Sequence, residues 1–228
     1  LNTRQVEVTI QGGLECLVPD FKKSLVQSAG QLPTGFNPGK TYPSNHHPRG
    51  LQLAVNGASD AIRSMGIDWN IIKDTIRPDE IGVYAGSSMG QLDQFGGGGF
   101  LRAPTAGIRT SSKQIAFHFS QMVADFINAY ILGSVGFTGG QAGACATTMY
   151  SLNAAVSDIQ SGKRRVAIVG AAEAPVNYEV IEGYRSMTAL AEDSQILDLD
   201  RNLGRKTPDH RSACRPFAPN CGFTLAES

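Results

Sequence analysis

A cysteine stands at position 145 in the run Gly143-Ala144-Cys145-Ala146-Thr147-Thr148, directly ahead of apolar residues at helical spacing. A thiol in the first turn of a helix lies among backbone N–H groups without intrahelical partners and at the positive end of the helix dipole, and both favour thiolate over thiol. An ordinary thiol, with a pKa of ~8.5, is only slightly ionised at neutral pH, so such a position has a clear effect. The same N–H groups can hold an oxygen on which negative charge develops. Nucleophile and half of an oxyanion hole fall in one turn, and acyl transfer is the chemistry they suit. Taken by itself, a cysteine is more often a small buried hydrophobe, so the reading depends on its surroundings.

The remaining candidates are weaker. Cys16, Cys214 and Cys221 form no CxxC pair, and no histidine stands at ligand spacing beside the last two, so no metal site is expected. Leu1-Asn2-Thr3-Arg4-Gln5 has neither an initiator Met nor a signal pattern. We therefore expect an internal start, and four reduced thiols in a cytoplasmic protein. Gly96-Gly97-Gly98-Gly99 invites a phosphate-binding reading, but no Gly-Lys-Ser/Thr follows, and a flexible loop is expected there. Charge excludes other classes: 20 basic and 20 acidic side chains cancel, so neither nucleic acid nor an anionic membrane surface is an expected partner. No apolar run approaches the ~18 residues of a membrane span.

The elements that must position Cys145 are legible in the apolar pattern. Val6-Glu7-Val8-Thr9-Ile10 alternates like a strand, and the proline-rich stretch from Gln31 to Arg49 reads as an extended loop. Leu51, Ala54, Val55, Ala58, Ala61, Ile62 and Met65 predict a helix ended by Gly66. Ile81 to Gly86 is a buried strand. Ile115, Phe119, Met122, Val123, Phe126, Ile127, Tyr130 and Ile131 give one broad helical face over residues 112–131, stopped by Gly133. Small residues from Val135 to Ala144 lead as strand or loop into Cys145. Met149, Leu152, Ala155, Val156 and Ile159 continue as a helix, and Arg165 to Gly170 form the next buried strand. This alternation is that of a layered α/β fold, with the nucleophile where a strand turns into a helix.

Several segments, in order, resemble the β-ketoacyl-ACP synthases of the elongating kind. Gly143-Ala144-Cys145-Ala146-Thr147 is similar to their active-site turn, and Glu80 through Gly90 to the strand and Gly-rich turn near their acyl pocket. Val166 through Glu173 resembles their strand ending in Gly-Gly-x-Glu. Gly183-Tyr184-Arg185-Ser186-Met187-Thr188-Ala189-Leu190 resembles a segment lining the site. Arg215-Pro216-Phe217 and Gly222-Phe223-Thr224-Leu225-Ala226-Glu227 resemble their Arg-Pro-Phe-Asp and Gly-Phe-Val-x-x-Glu block. Two departures stand out: Ala218 replaces the Asp, and Asn220-Cys221 replaces the Arg-Asp before Gly-Phe.

The resemblance implies a thiolase-like layered α/β sandwich built from two similar halves. Residues 50–228 would be the N-terminal half of such a domain, truncated, after a divergent N-terminal segment, residues 1–49. It implies Cys145 as acyl acceptor, Tyr184 beside the acyl channel, and Arg109 and Lys113 as a docking surface for acyl carrier protein. Substrates would ride on the carrier's phosphopantetheine with no further cofactor, and the enzyme would be a homodimer. Glu173 is expected as a structural hydrogen-bonding group, and Lys163, Arg164 and Arg165 as a helix C-terminal cap. The family draws two His and a Lys from its second half, so this segment alone is expected to be inactive. None of His46, His47, His118 or His210 matches them by motif. The alternatives are a thiolase-like acyl-CoA condensing enzyme and a non-catalytic partner subunit, the latter disfavoured by the cysteine.

Overall fold

Among the described residues three strands form one parallel sheet, with β1 (Ile81–Gly86) between β2 (Phe137–Gly139) and β3 (Val166–Ala171). The computed structural model describes residues 11–12, 23–133, 136–218 and 221–228. The strand expected at residues 6–10, and Cys16, lie outside them. Strand β1 (Ile81–Gly86) is central and buried along its whole length, as an apolar run in a covered parallel sheet should be. It pairs with β2 (Phe137–Gly139) from Gly82↔Phe137 to Tyr84↔Gly139, and with β3 (Val166–Ala171) from Ile81↔Val166 to Gly86↔Ala171. The predicted strand–helix alternation is therefore present, with the sheet parallel.

The two faces of β1 differ in size. Val83 and Ala85 point to one side and join the main core with Leu51, Val55, Val123, Phe126 and Ile127. Those residues come from helices α1 (Arg49–Ser64) and α5 (Met122–Ile127). Gly82, Tyr84 and Gly86 point to the other side, toward α6 (Thr147–Gln160), where the Tyr84 hydroxyl donates to Asp158 at 2.5 Å. Helix α6 meets these glycines with small residues: Thr147, Ser151 and Ala155 are its buried positions. Of the five apolar residues that predicted the helix, only Ala155 is buried. Met149, Leu152, Val156 and Ile159 face outward.

Helix α1 starts and stops as its pattern predicts, with Gly66 in the left-handed region at φ 74° just beyond it. The short helix α2 (Trp69–Thr75), capped by Asp68, follows it and carries too few apolar residues to have been foreseen. The glycine run is a correction to the expected flexible loop. Helix α3 (Gly97–Ala106) begins inside it, and a Cβ at Gly98 or Gly99 would lie within 2 Å of the Leu92 or Gln94 carbonyl oxygen. The glycines permit close backbone approach.

The helix expected over 112–131 is a second correction. Helix α4 (Ser112–His118) ends where Phe119 turns extended at ψ 137°, and α5 resumes at Met122. The break frees the Ser120 carbonyl to accept from the Ser87 N–H at 3.1 Å, tying this corner to the end of β1. A π-helical turn, Asn128–Leu132, then runs to Gly133 at φ 61°.

Beyond β3 come α7 (Tyr178–Ser186) and α8 (Asp193–Arg201). Asp200 at the end of α8 is fully buried and accepts from the Asp209 N–H at 2.7 Å and from Arg205 and Arg215 at 2.9 and 2.6 Å. Burial alone would raise its pKa; the Asp209 amide and the two guanidinium groups outweigh that and hold it below the usual carboxylate range. Arg215 of the Arg-Pro-Phe run is thus anchored to the body, while Phe217, at φ 69°, stands fully in solvent. The last residues return across the molecule: Glu227 pairs with Arg49 at 2.6 Å, and Ser228 exchanges two backbone hydrogen bonds with Glu173. Among the described residues no helix is long and apolar enough to cross a membrane.

Candidate active site

Cys145 occupies a single 3-10 turn, Ala144–Ala146, between the sheet and α6, and it is exposed. The turn is closed by the Ala146 N–H donating to the Gly143 carbonyl at 2.9 Å. Ala144 lies in the left-handed region at φ 47°, a conformation that L-residues adopt at a cost, so a neighbour must hold it. That neighbour is Thr147, 2% exposed. Its hydroxyl donates to the Ala144 carbonyl at 2.7 Å and accepts from the Gly143 N–H at 3.1 Å. Its methyl carbon lies 3.4 Å from where a Cβ on Gly86 would be, at the end of β1. The sequence reading passed over Thr147. The available signal was a β-branched hydroxyl residue two positions after the cysteine, on the side of α6 that carries only small residues.

Glu173 braces the sheet beside this turn. Its carboxylate accepts from the Ser87 hydroxyl at 3.1 Å and from the Ser88 N–H, which is the structural role expected of it. The basic run after α6 does more than cap a helix. The Lys163 and Arg164 N–H groups do donate to the Asp158 carbonyl, both at 3.0 Å, and Lys163 pairs with the Asp158 carboxylate at 3.5 Å. Arg164, however, donates to the Asp79 carbonyl at 2.5 Å and lies over the Phe137 ring at 5.3 Å, and Arg165 reaches Glu80 at 4.0 Å.

The other candidates belong to other elements. Tyr184 on α7 is half-buried, packed edge-on against Phe223 at 5.7 Å and against a small core of Val26, Val180, Leu190 and Leu225. Arg109 stands exposed in the turn between α3 and α4, and Lys113 is exposed in the first turn of α4. None of the three shares a hydrogen bond or ion pair with the Cys145 turn among the described residues. The histidines have structural neighbours: His47 sits among Tyr42, Phe117, Phe126 and Tyr130, His118 bonds the Gln91 carbonyl at 3.1 Å, and His210 bonds Ser28 at 2.7 Å. Burial first, then Lys113 and His46, lowers the pKa of His47. A cavity of about 550 Å³ lies between α1 and the π-helical turn, lined by Tyr42, Asn56, Asp60, Arg63 and Tyr130 among others and not by Cys145. Cys145, Cys214 and Cys221 are free, and no group of three or more His, Cys, Asp or Glu among the described residues is placed to hold a metal ion.

An exposed cysteine in a braced strand-to-helix turn is a candidate nucleophile, and comparison with known proteins places the surrounding chain in a family. Residues 48–228 match the family model "Beta-ketoacyl synthase, N-terminal domain". The chain is 52% identical over 224 residues to the β-ketoacyl-[acyl-carrier-protein] synthase FabY of Pseudomonas aeruginosa, covering 98% of this chain and 35% of that one. It is 27% identical over 183 residues to 3-oxoacyl-[acyl-carrier-protein] synthase 2 of Staphylococcus aureus, 40% of whose length it covers. Among solved structures, P. aeruginosa FabY superposes with a TM-score of 0.85 at 54% identity, over 89% of this chain and 31% of that one. A β-ketoacyl synthase from Burkholderia phymatum shares the fold at TM-score 0.69 and 20% identity, over 91% of this chain and 47% of the other. The chain spans between about a third and a half of the relatives it matches. It belongs to the β-ketoacyl synthase family, as a thiolase-like N-terminal domain.

Proposed function

We propose that the longer protein containing this segment is a β-ketoacyl-[acyl-carrier-protein] synthase of fatty-acid biosynthesis, with Cys145 as its acyl acceptor. The Cys145 thiolate attacks the thioester carbonyl of an acyl group on the phosphopantetheine arm of acyl carrier protein. A new carbon–sulfur bond forms, and the carrier thiolate leaves and takes up a proton. A second carrier then brings a malonyl group, which loses carbon dioxide, and the resulting enolate carbon attacks the acyl-enzyme carbonyl. The bond to Cys145 breaks, the thiolate is restored, and β-ketoacyl carrier protein departs. Dividing the condensation this way is covalent catalysis. The two His and the Lys that this family uses come from the part of the protein beyond this segment.

The observation that carries the reading is the exposed Cys145 in its strand-to-helix turn, inside the stretch that matches the family model. Cys145→Ala in the longer protein is expected to lower condensation by roughly 10³-fold or more. Full condensing activity in that variant would overturn the assignment. Release of carbon dioxide from malonyl carrier protein is not a substitute readout, since it does not require the acyl-cysteine. Offering acyl carrier protein and acyl-CoA side by side separates this reading from a thiolase-like enzyme.

The same proposal includes a cytoplasmic homodimer, Tyr184 lining the acyl channel, and Arg109 and Lys113 receiving the acidic carrier. Their exposure on adjoining turns supports the docking role. Reversing both charges, Arg109→Glu with Lys113→Glu, is expected to raise KM for acyl carrier protein about tenfold while kcat stays put. An unchanged KM would remove them from the docking surface.

A further inference from the structure

We propose that Thr147 is the positioning residue of Cys145, its hydroxyl fixing the direction of the nucleophile's own N–H. The inference rests on the reading of Cys145 as acyl acceptor and goes beyond it. The Thr147 hydroxyl is used twice, and both partners lie just before the cysteine: it accepts from the Gly143 N–H and donates to the Ala144 carbonyl. The Ala144 carbonyl and the Cys145 N–H belong to one planar peptide unit and point in opposite directions. Holding the carbonyl against Thr147 therefore aims the Cys145 N–H away from α6. That N–H is one of the groups suited to a developing oxyanion.

Two further features make the arrangement specific. Ala144 sits at φ 47°, outside the regions that an alanine prefers, and the hydroxyl bonds on either side of it oppose relaxation. The side chain is also fixed in place: it is 2% exposed, and its methyl group abuts Gly86 at the end of β1. The β-branched side chain thus transmits the position of the sheet to the nucleophile's peptide unit. A hydroxyl is needed because one oxygen must both donate and accept. Valine would keep the shape and lose both hydroxyl bonds, leaving the Ala144 carbonyl with the residue 147 N–H alone.

The test uses the longer protein and two reactions of the same thiol. Acylation of Cys145 from acyl carrier protein develops an oxyanion; alkylation by iodoacetamide does not. Thr147→Val is expected to slow acylation roughly ten- to a hundredfold through kcat, with KM unchanged, and to leave the alkylation rate within about twofold. Thr147→Ser retains the hydroxyl and is expected to keep both rates within about threefold of the starting protein. Equal loss of both reactions in Thr147→Val, no loss in either, or a serine variant as slow as the valine one would each overturn the proposal. If Thr147→Val does not fold, Thr147→Ala replaces it; unfolding of both makes Thr147 a folding residue and ends the positioning role. If the unsubstituted protein is not acylated at Cys145 at all, the proposed function fails and this inference with it. Normal acylation in both the unsubstituted protein and Thr147→Val removes the inference alone.

Discussion

Tyr84 carries a hydroxyl into an otherwise apolar central strand, and its partner is on α6 rather than in the sheet. The residue is 3% exposed, and its hydroxyl donates to the Asp158 carboxylate at 2.5 Å. Burial, then the hydrogen bond and charge of Asp158, raise the phenol pKa to about 12. The bond from Tyr84 in turn holds the half-buried Asp158 carboxyl below its usual range, with help from Lys163 and Arg164. The signs follow from which form the fold prefers. A raised phenol gives stability that is complete below about pH 10, the ordinary tyrosine value, and is lost as pH rises toward 12. A lowered carboxyl gives stability present above the usual carboxylate range and lost as pH falls through its folded value. Tyr84→Phe in the longer protein is expected to lower the thermal midpoint by a few degrees at neutral pH and to flatten its decline at both extremes. An unchanged midpoint with the same acid and alkaline decline would show that the pair contributes nothing.

At the scale of elements, what was legible depended on whether the apolar period matched the packing. Helix α1 and strand β1 were legible because most of their apolar residues are the ones the core takes up, whereas β3, expected to be buried, is only half-buried and meets the main core through Ile168. Helix α6 was found for a different reason. Its period is real, but the face that packs on the sheet is Thr147, Ser151 and Ala155, chosen by the glycines of β1. The period therefore located the helix and said nothing true about which side is buried. The break between α4 and α5 was hidden because apolar residues run through Phe119 while the backbone leaves the helix to bond Ser87. Glycines 96–99 look like flexibility in a sequence; here Gly96, Gly98 and Gly99 are places where another backbone passes too close for a Cβ, and at Gly97 it is the His118 ring that does so. The site shows the same division. Glu173 was readable as a hydrogen-bonding group from type and position, and Cys145 as a candidate from its place ahead of α6, whereas the two hydroxyl bonds of Thr147 exist only in the folded turn.

Considered whole, the sheet is covered on one face by α1 and α5 and on the other by α6, and α6 leaves an apolar stripe uncovered. Met149, Leu152, Val156 and Ile159 are 65%, 44%, 43% and 40% exposed, with Phe137 at 39% on the neighbouring edge strand. Their spacing puts the four on one side of the helix. Contiguous apolar surface of this kind marks an interface, and this chain covers only 35% of the length of P. aeruginosa FabY. We expect the part of the longer protein beyond this segment to cover the stripe. Leu152→Glu in the longer protein then places a carboxylate in an apolar contact and should cost about 2 kcal/mol or more. Ser157→Glu, an exposed polar position on the same helix, serves as the control and should stay within about 0.5 kcal/mol. Urea unfolding of the two variants measures the difference directly. Equal, small effects would mean that the stripe remains in water and that α6 is an outer layer rather than an inner one.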